Sequence, residues 1–236
     1  MQEPAAGPAD PVVRLAGVSV DIERVPVLRG VDLTVHRGES VGLVGPNGSG
    51  KTTLLRLLAT LLTPARGQAR LFGAEFGSRE CDALRPRIAF VGHTPALYAQ
   101  LTLRENLRFL ARLTGRPDAA ADEALALVGL AGVADRRAAG CSQGMQRRTD
   151  LARAVLTEPL LLLLDEAHTG LDSSSAPLVE ALMAQVAARG GASVVVSHDR
   201  PRLTAAVDRL VEITGGRAVE NTVEDAVVSV VEREGV

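Results

Sequence analysis

The chain has 236 residues, 46% apolar and 23% charged, enough for one large globular domain, or a domain with a subdomain, around a sizeable core. A net charge of −2 argues against a nucleic-acid binder held by bulk charge, and one Tyr, four Phe and no Trp leave few platforms for stacked bases. Two cysteines, Cys81 and Cys141, stand in no metal-ligand spacing, which argues against a disulfide framework and suits a reducing cytoplasm.

Residues 1–11 lack the basic and apolar regions of a signal peptide and are expected to form a loose tail. Residues 11–20 alternate weakly, and residues 31–39 alternate clearly, with Val31, Leu33 and Val35 on one face of a predicted strand. ESVGLVG predicts a short apolar strand ending at Gly45. The pattern over 51–61 predicts a helix, stopped at Thr63-Pro64. Short strands follow in ARGQARLFG and in RIAFVG, the latter bounded by Pro86 and Gly92. Residues 102–129 carry Leu, Ala, Arg and Glu at helical spacing, broken at Gly115-Arg116-Pro117, and read as two or three helices inserted between strands. A further helix starts at Ser142 and ends near Glu158-Pro159. Strands and helices then alternate: a strand over 160–164, a helix over 173–188, a strand over 192–197, a short helix over 200–207 and a hairpin around Gly215-Gly216. This alternation predicts an α/β layered sheet. The longest apolar run, LLLLL at 160–164, is strand-sized, so any membrane role must act through a partner.

Three motifs carry chemistry. Gly45, Pro46, Asn47, Gly48, Ser49, Gly50, Lys51 and Thr52 spell GPNGSGKT, which fits G-x-x-x-x-G-K-[ST] between a predicted strand and helix. Such glycines let backbone N–H groups curl around phosphates, and the helix N-terminus adds positive potential. Lys51 would reach the β and γ phosphates, Thr52 would place a hydroxyl on Mg²⁺, and Thr53 would reach the α phosphate. Downstream, LLLLDE ends an apolar strand in two carboxylates. Asp165 can hold Mg²⁺ and Glu166 can polarise an attacking water, roles that phosphoryl transfer requires. His198 closes the next strand, where it can face the same site or act as a polar cap. In CSQGMQRR, Ser142 can cap the helix, and Arg147 and Arg148 read equally as phosphate ligands or as a solvated or packed helix face.

In their order along residues 12–220, these motifs resemble the nucleotide-binding subunit of an ATP-binding cassette (ABC) transporter. GPNGSGKT is similar to its P-loop, CSQGM to its signature, LLLLDE to its second nucleotide motif, Gly170-Leu171-Asp172 to its D-loop and Ser197-His198 to its switch histidine. The resemblance implies a P-loop NTPase fold of ABC type. That fold has a mainly parallel core sheet, an N-terminal antiparallel β subdomain and a helical subdomain inserted at about 94–157. It makes 12–220 one ATPase domain and leaves 221–236 as a tail. It implies ATP and Mg²⁺ as ligands, Glu166, His198 and His93 as catalytic, and an integral membrane permease as partner at the cytoplasmic face. It also implies a head-to-tail dimer, a homodimer, in which Ser142, Gly144 and Asp172 of one subunit meet the ATP held by the other. No nucleic acid is expected.

Four departures from the family pattern stand out. The signature has Cys141, Gln143 and Met145 where Leu, Gly and Gln are usual, while Ser142 and Gly144 are kept. Ala167 replaces the Pro after the DE pair. His93 stands where the family has Gln, making that contact sensitive to protonation. No aromatic lies near Ile22 to stack on adenine. The segment VGHTPALYAQLTLRENLRFLARL resembles the haem-exporter ATPase branch of cytochrome c maturation. Drug, lipid and polysaccharide exporters stay open as alternatives, as does a soluble ATPase acting on ribosomes or DNA. Tyr98, Leu101, Glu105 and Asn106 are candidate permease contacts, or else subdomain core with a T-x-x-E capping box.

Overall fold

A computed structural model describes residues 11–166 and 177–221. β1 (Val13–Ile22) and β2 (Val25–Val35) form an antiparallel hairpin. Its two-residue turn, Glu23-Arg24, holds both residues at positive φ, 50° and 68°. That geometry matches strand twist but is usually given to Asn or Gly. The strand expected from residue 31 therefore starts earlier, because the hairpin register extends the ladder back to Val25. β3 (Ser40–Val44) leads into α1 (Lys51–Leu58). β4 (Arg66–Leu71) and β5 (Ala74–Glu75) join the first hairpin in a four-stranded sheet of order β2-β1-β4-β5.

After the short α2 (Arg79–Ala83), β6 (Ile88–Val91) enters the core. The insert follows as α3 (Leu103–Leu113), α4 (Ala119–Leu127) and α5 (Gln143–Thr157). The chain then returns through β7 (Leu161–Asp165), α6 (Pro177–Ala188), β8 (Ala192–Val196), α7 (Arg200–Ala206), β9 (Arg209–Thr214) and β10 (Arg217–Asn221). The core sheet has order β10-β9-β3-β8-β7-β6, parallel throughout except for β10 against β9. The expected helix over 173–188 is described only from Pro177, and Asp172 and Ala167 lie outside the described residues.

Period-two alternation in the central strands sorts side chains between two cores. Leu161 and Leu163 of β7 pack with α1 (Leu54, Leu55, Leu57, Leu58) and the antiparallel sheet. Leu162 and Leu164 pack the other way, against Leu182, Met183 and Val186 of α6 and Leu203 of α7. Each fully buried leucine contributes about 1.5–3 kcal/mol relative to exposure. The insert has its own core around Leu103, Leu107, Leu125 and Leu130. α5 belongs to both, with Leu151 and Ala154 in the sheet's core and Ala152 and Leu156 in the insert's.

Thr102 and Glu105 form the capping box that starts α3. Asn106 is buried, its amide bonded to the carbonyls of Tyr98 and Thr102 and its oxygen to the Tyr98 N–H. Glu105 and Asn106 thus shape the insert, whereas Tyr98 is exposed and meets Phe109 edge-on at 5.4 Å. Arginines at one-turn spacing on α3 face α4: Arg104 and Arg108 pair with Asp122, and Arg112 with Asp118.

Candidate functional site

Parallel strands deliver their C-terminal ends to one edge of a sheet, and ligands bind outside that edge. Here β3 delivers the GPNGSGKT loop, β6 delivers His93, β7 delivers Asp165 and Glu166, and β8 delivers His198. One cleft at this edge is lined by Val27, Asn47, Gly48, Gly50, Lys51, Thr52, Thr53, His93, Asp165, Glu166, Val196 and His198.

The loop needs its glycines where backbones crowd. Gly45 sits at φ +138°, and a Cβ there would lie 2.2 Å from the Ile213 carbonyl oxygen. Gly50, at φ +110°, caps α1 with no side-chain acceptor, so the first N–H groups of the helix face the cleft uncapped. Lys51 Nζ donates to the carbonyls of Gly45 (2.8 Å) and Pro46 (3.0 Å), folding the ammonium over the loop. Pro46 and Gly45 contribute through these carbonyls rather than as cleft walls. Ser49 is buried, and its Oγ has no hydrogen-bond partner among the described residues.

Thr52 Oγ1 donates to Asp165 Oδ2 at 2.9 Å, which brings both expected Mg²⁺ holders together. Glu166 is buried and holds a left-handed backbone, φ 57°, a strained setting for a non-glycine residue and one that recurs at functional sites. Its Oε2 accepts the His198 N–H at 3.2 Å, and His198 Nε2 lies 3.5 Å from Oε1. Oε1 itself is buried and lacks a hydrogen-bond partner among the described residues. Two orphaned polar atoms, an uncapped helix start, an ammonium and a hydroxyl–carboxylate pair at one edge fit a nucleoside triphosphate with its divalent cation.

Ser142 and Gly144 do not line this cleft. Ser142 is exposed at the start of α5, where its Oγ accepts the Met145 N–H at 3.2 Å. Arg147, which the sequence left open between phosphate ligand, solvated face and packed face, is buried at 3% exposure. Its guanidinium donates to the carbonyls of Gly92, His93 (3.2 Å) and Glu166 (2.9 Å). Burial pulls its pKa down, and the nearby Asp150, Asp165 and Glu166 carboxylates push back. Arg148 reaches the Val128 carbonyl at 3.3 Å inside the insert. Sequence reasoning also did not name Val27 as a wall of the cleft; its signal was an apolar residue in β2.

The family model described as ABC transporter matches residues 28–169. The chain is 40% identical over 194 residues to the cytochrome c biogenesis ATP-binding export protein CcmA 2 of Cupriavidus metallidurans, covering 81% of this chain and 92% of that protein. It is also 40% identical over 233 residues to the lipoprotein-releasing system ATP-binding protein LolD of Anaeromyxobacter dehalogenans, covering 93% of this chain and 96% of that one. Among solved structures it is similar to the dimeric ATP-binding cassette MJ0796 in a post-hydrolysis state bound to ADP and Pi. The TM-score is 0.80 at 26% identity, over 89% of this chain and 98% of that one.

Proposed function

We propose a mechanism that proceeds from one fact: this chain belongs to the ABC transporter family, as its ATP-binding, ATP-hydrolysing subunit. The observation that carries the mechanism is the Thr52–Asp165 hydrogen bond at the mouth of the phosphate loop, with Glu166 beside it. The loop N–H groups and Lys51 bind the phosphates of ATP, and Ser49, Thr53 and Asn47 complete the cradle. Thr52 and Asp165 would hold Mg²⁺, which would supply charge to polarise the phosphate oxygens. Glu166, through Oε1, takes the proton of the attacking water, a role worth about 10²- to 10⁴-fold in rate. His198 steers Glu166 and the γ phosphate, and His93, at the end of the neighbouring β6, would hydrogen-bond toward the phosphate and cation site.

Ser142 and Gly144 act on a second copy of the chain. They stand exposed or half-exposed, away from their own cleft, at the positive end of a 15-residue helix. Two ATP molecules would then be held between two subunits. Residues 12–220 act as one domain, and the insert at about 94–157 meets a membrane permease through Tyr98 and its neighbours. Among the described residues no helix is long and apolar enough to cross a membrane. The likeness to ATP-binding subunits of transporters supports a peripheral subunit at the cytoplasmic face.

For cargo, the segment from Gly92-His93 onward and the likeness to the cytochrome c biogenesis protein favour haem export. Equal identity to the lipoprotein-releasing protein favours lipoprotein release as the second reading. The test is recovery of tagged Glu166→Gln protein with ATP from native membranes, followed by mass spectrometry and a haem absorbance scan. Haem and cytochrome-maturation components support the first reading. A lipoprotein-releasing permease supports the second. Ribosomal or DNA-bound proteins alone would overturn the membrane assignment.

A further inference from the structure

Arg147 is a buried cation in a helix that also buries Thr149, Asp150, Leu151, Ala152, Ala154 and Leu156. Burying a guanidinium is costly unless its donors are used, and an apolar side chain would fill the same space at less cost. Its donors are used at the ends of two neighbouring strands, on Gly92 and His93 after β6 and on Glu166 after β7. Glu166 has its own N–H bonded to the Val196 carbonyl at 3.0 Å, so its strained backbone is held on one side by β8 and on the other by Arg147. One helical turn further on, buried Asp150 accepts the Ala96 N–H at 3.4 Å and pairs with Arg153. α5 therefore grips the His93 loop at three backbone groups, Gly92, His93 and Ala96, and the Glu166 turn at a fourth.

We propose that Arg147 is a positioning residue for ATP hydrolysis: from α5 it clamps the carbonyls of Gly92, His93 and Glu166 and so sets Glu166 and His93 at the nucleotide. The proposal rests on the assignment of Glu166 as base made above. Arg147 touches neither phosphate nor metal in this scheme. Its loss should leave ATP binding to the P-loop intact and fall on turnover.

The experiment measures kcat and KM for MgATP, the Kd for a fluorescent ATP analogue and thermal unfolding in the full chain. It compares wild type with Arg147→Met and Arg147→Lys, each with and without Glu166→Gln. Misplacement of reacting groups by about 1 Å can cost roughly 10²-fold. Arg147→Met is expected to lower kcat by about that factor, with Kd changed less than about threefold. Arg147→Lys, which keeps the charge but not the fork, should recover part of the rate. In the Glu166→Gln background Arg147→Met should cost less than about threefold further, because residues acting as a unit are not additive. A kcat within about threefold of wild type, or the same fold-loss with and without Glu166, would overturn the proposal. If Arg147→Met does not fold, Arg147→Lys carries the same criteria. Wild-type turnover by Glu166→Gln alone would instead refute the base assignment, which this design reads separately.

Discussion

Gly45→Ala isolates the steric demand of the phosphate loop. The added Cβ would lie 2.2 Å from the Ile213 oxygen and 3.1 Å from both its carbonyl carbon and Ser49 Oγ. Ile213 is buried in β9, paired with Ala218 of β10, so its backbone cannot withdraw without breaking the ladder. A backbone at φ +138° adds strain of about 1–3 kcal/mol. Overpacking adds about 1–3 kcal/mol more. The sum centres on about 4 kcal/mol, a large part of the roughly 5–15 kcal/mol that stabilises a domain. At about 2–4 °C per kcal/mol for a chain of this size, Tm should fall by roughly 8–16 °C. Gly48→Ala is the control: φ is +77° and nothing lies within 4 Å of the added Cβ. It meets left-handed strain alone, about 1–2 kcal/mol. Differential scanning fluorimetry on both variants separates the terms. Equal Tm losses would refute the close-approach argument.

Lys51→Ala removes the ammonium that bridges Gly45 and Pro46. At about 1.5–3 kcal/mol for a hydrogen bond to a charged group, ATP affinity in a binding titration should fall roughly 10- to 150-fold. An unchanged Kd would remove Lys51 from the site. Ser142→Ala removes the cap on the Met145 N–H and should cost about 0.5–2 kcal/mol in urea unfolding. It should also weaken ATP-driven dimerisation in light scattering, and undiminished dimerisation would contradict contact in trans. Burial raises the Asp150 carboxyl above its ordinary range. The folded state then holds its proton where the unfolded state has lost it. The resulting stabilisation is present at low pH and lost as pH rises through the folded-state value. Relative to Asp150→Asn, wild type should lose stability on raising pH above about 4. A difference that is flat or grows with pH would contradict this.

The strand-and-helix order was legible because the punctuation is strong. Pro86 and Gly92 bracket β6, and five consecutive buried residues make β7. That residues of the P-loop, the DE pair and His198 would line one cleft was legible because parallel strands must end at one edge. The start of β2 was missed because the Glu23-Arg24 turn lacks Gly or Asn and gives no turn signal. Arg147 stayed open between phosphate ligand, solvated face and packed face for a different reason. An arginine between Gln146 and Arg148 does not declare its side, and its distant carbonyl partners, 19 and 54 or 55 residues away, make it interior. Asn106 lay among the candidate permease contacts because an amide four residues after Thr102 does not declare that it will turn inward to its own loop.

The central claim is that Glu166 performs the chemistry in a cradle that binds ATP without it. The most direct test is steady-state phosphate release by wild type and Glu166→Gln, with the ATP Kd measured on the same samples. The account predicts turnover in wild type, its near-complete loss in Glu166→Gln and an affinity changed little between them. Turnover by Glu166→Gln at the wild-type rate would contradict it.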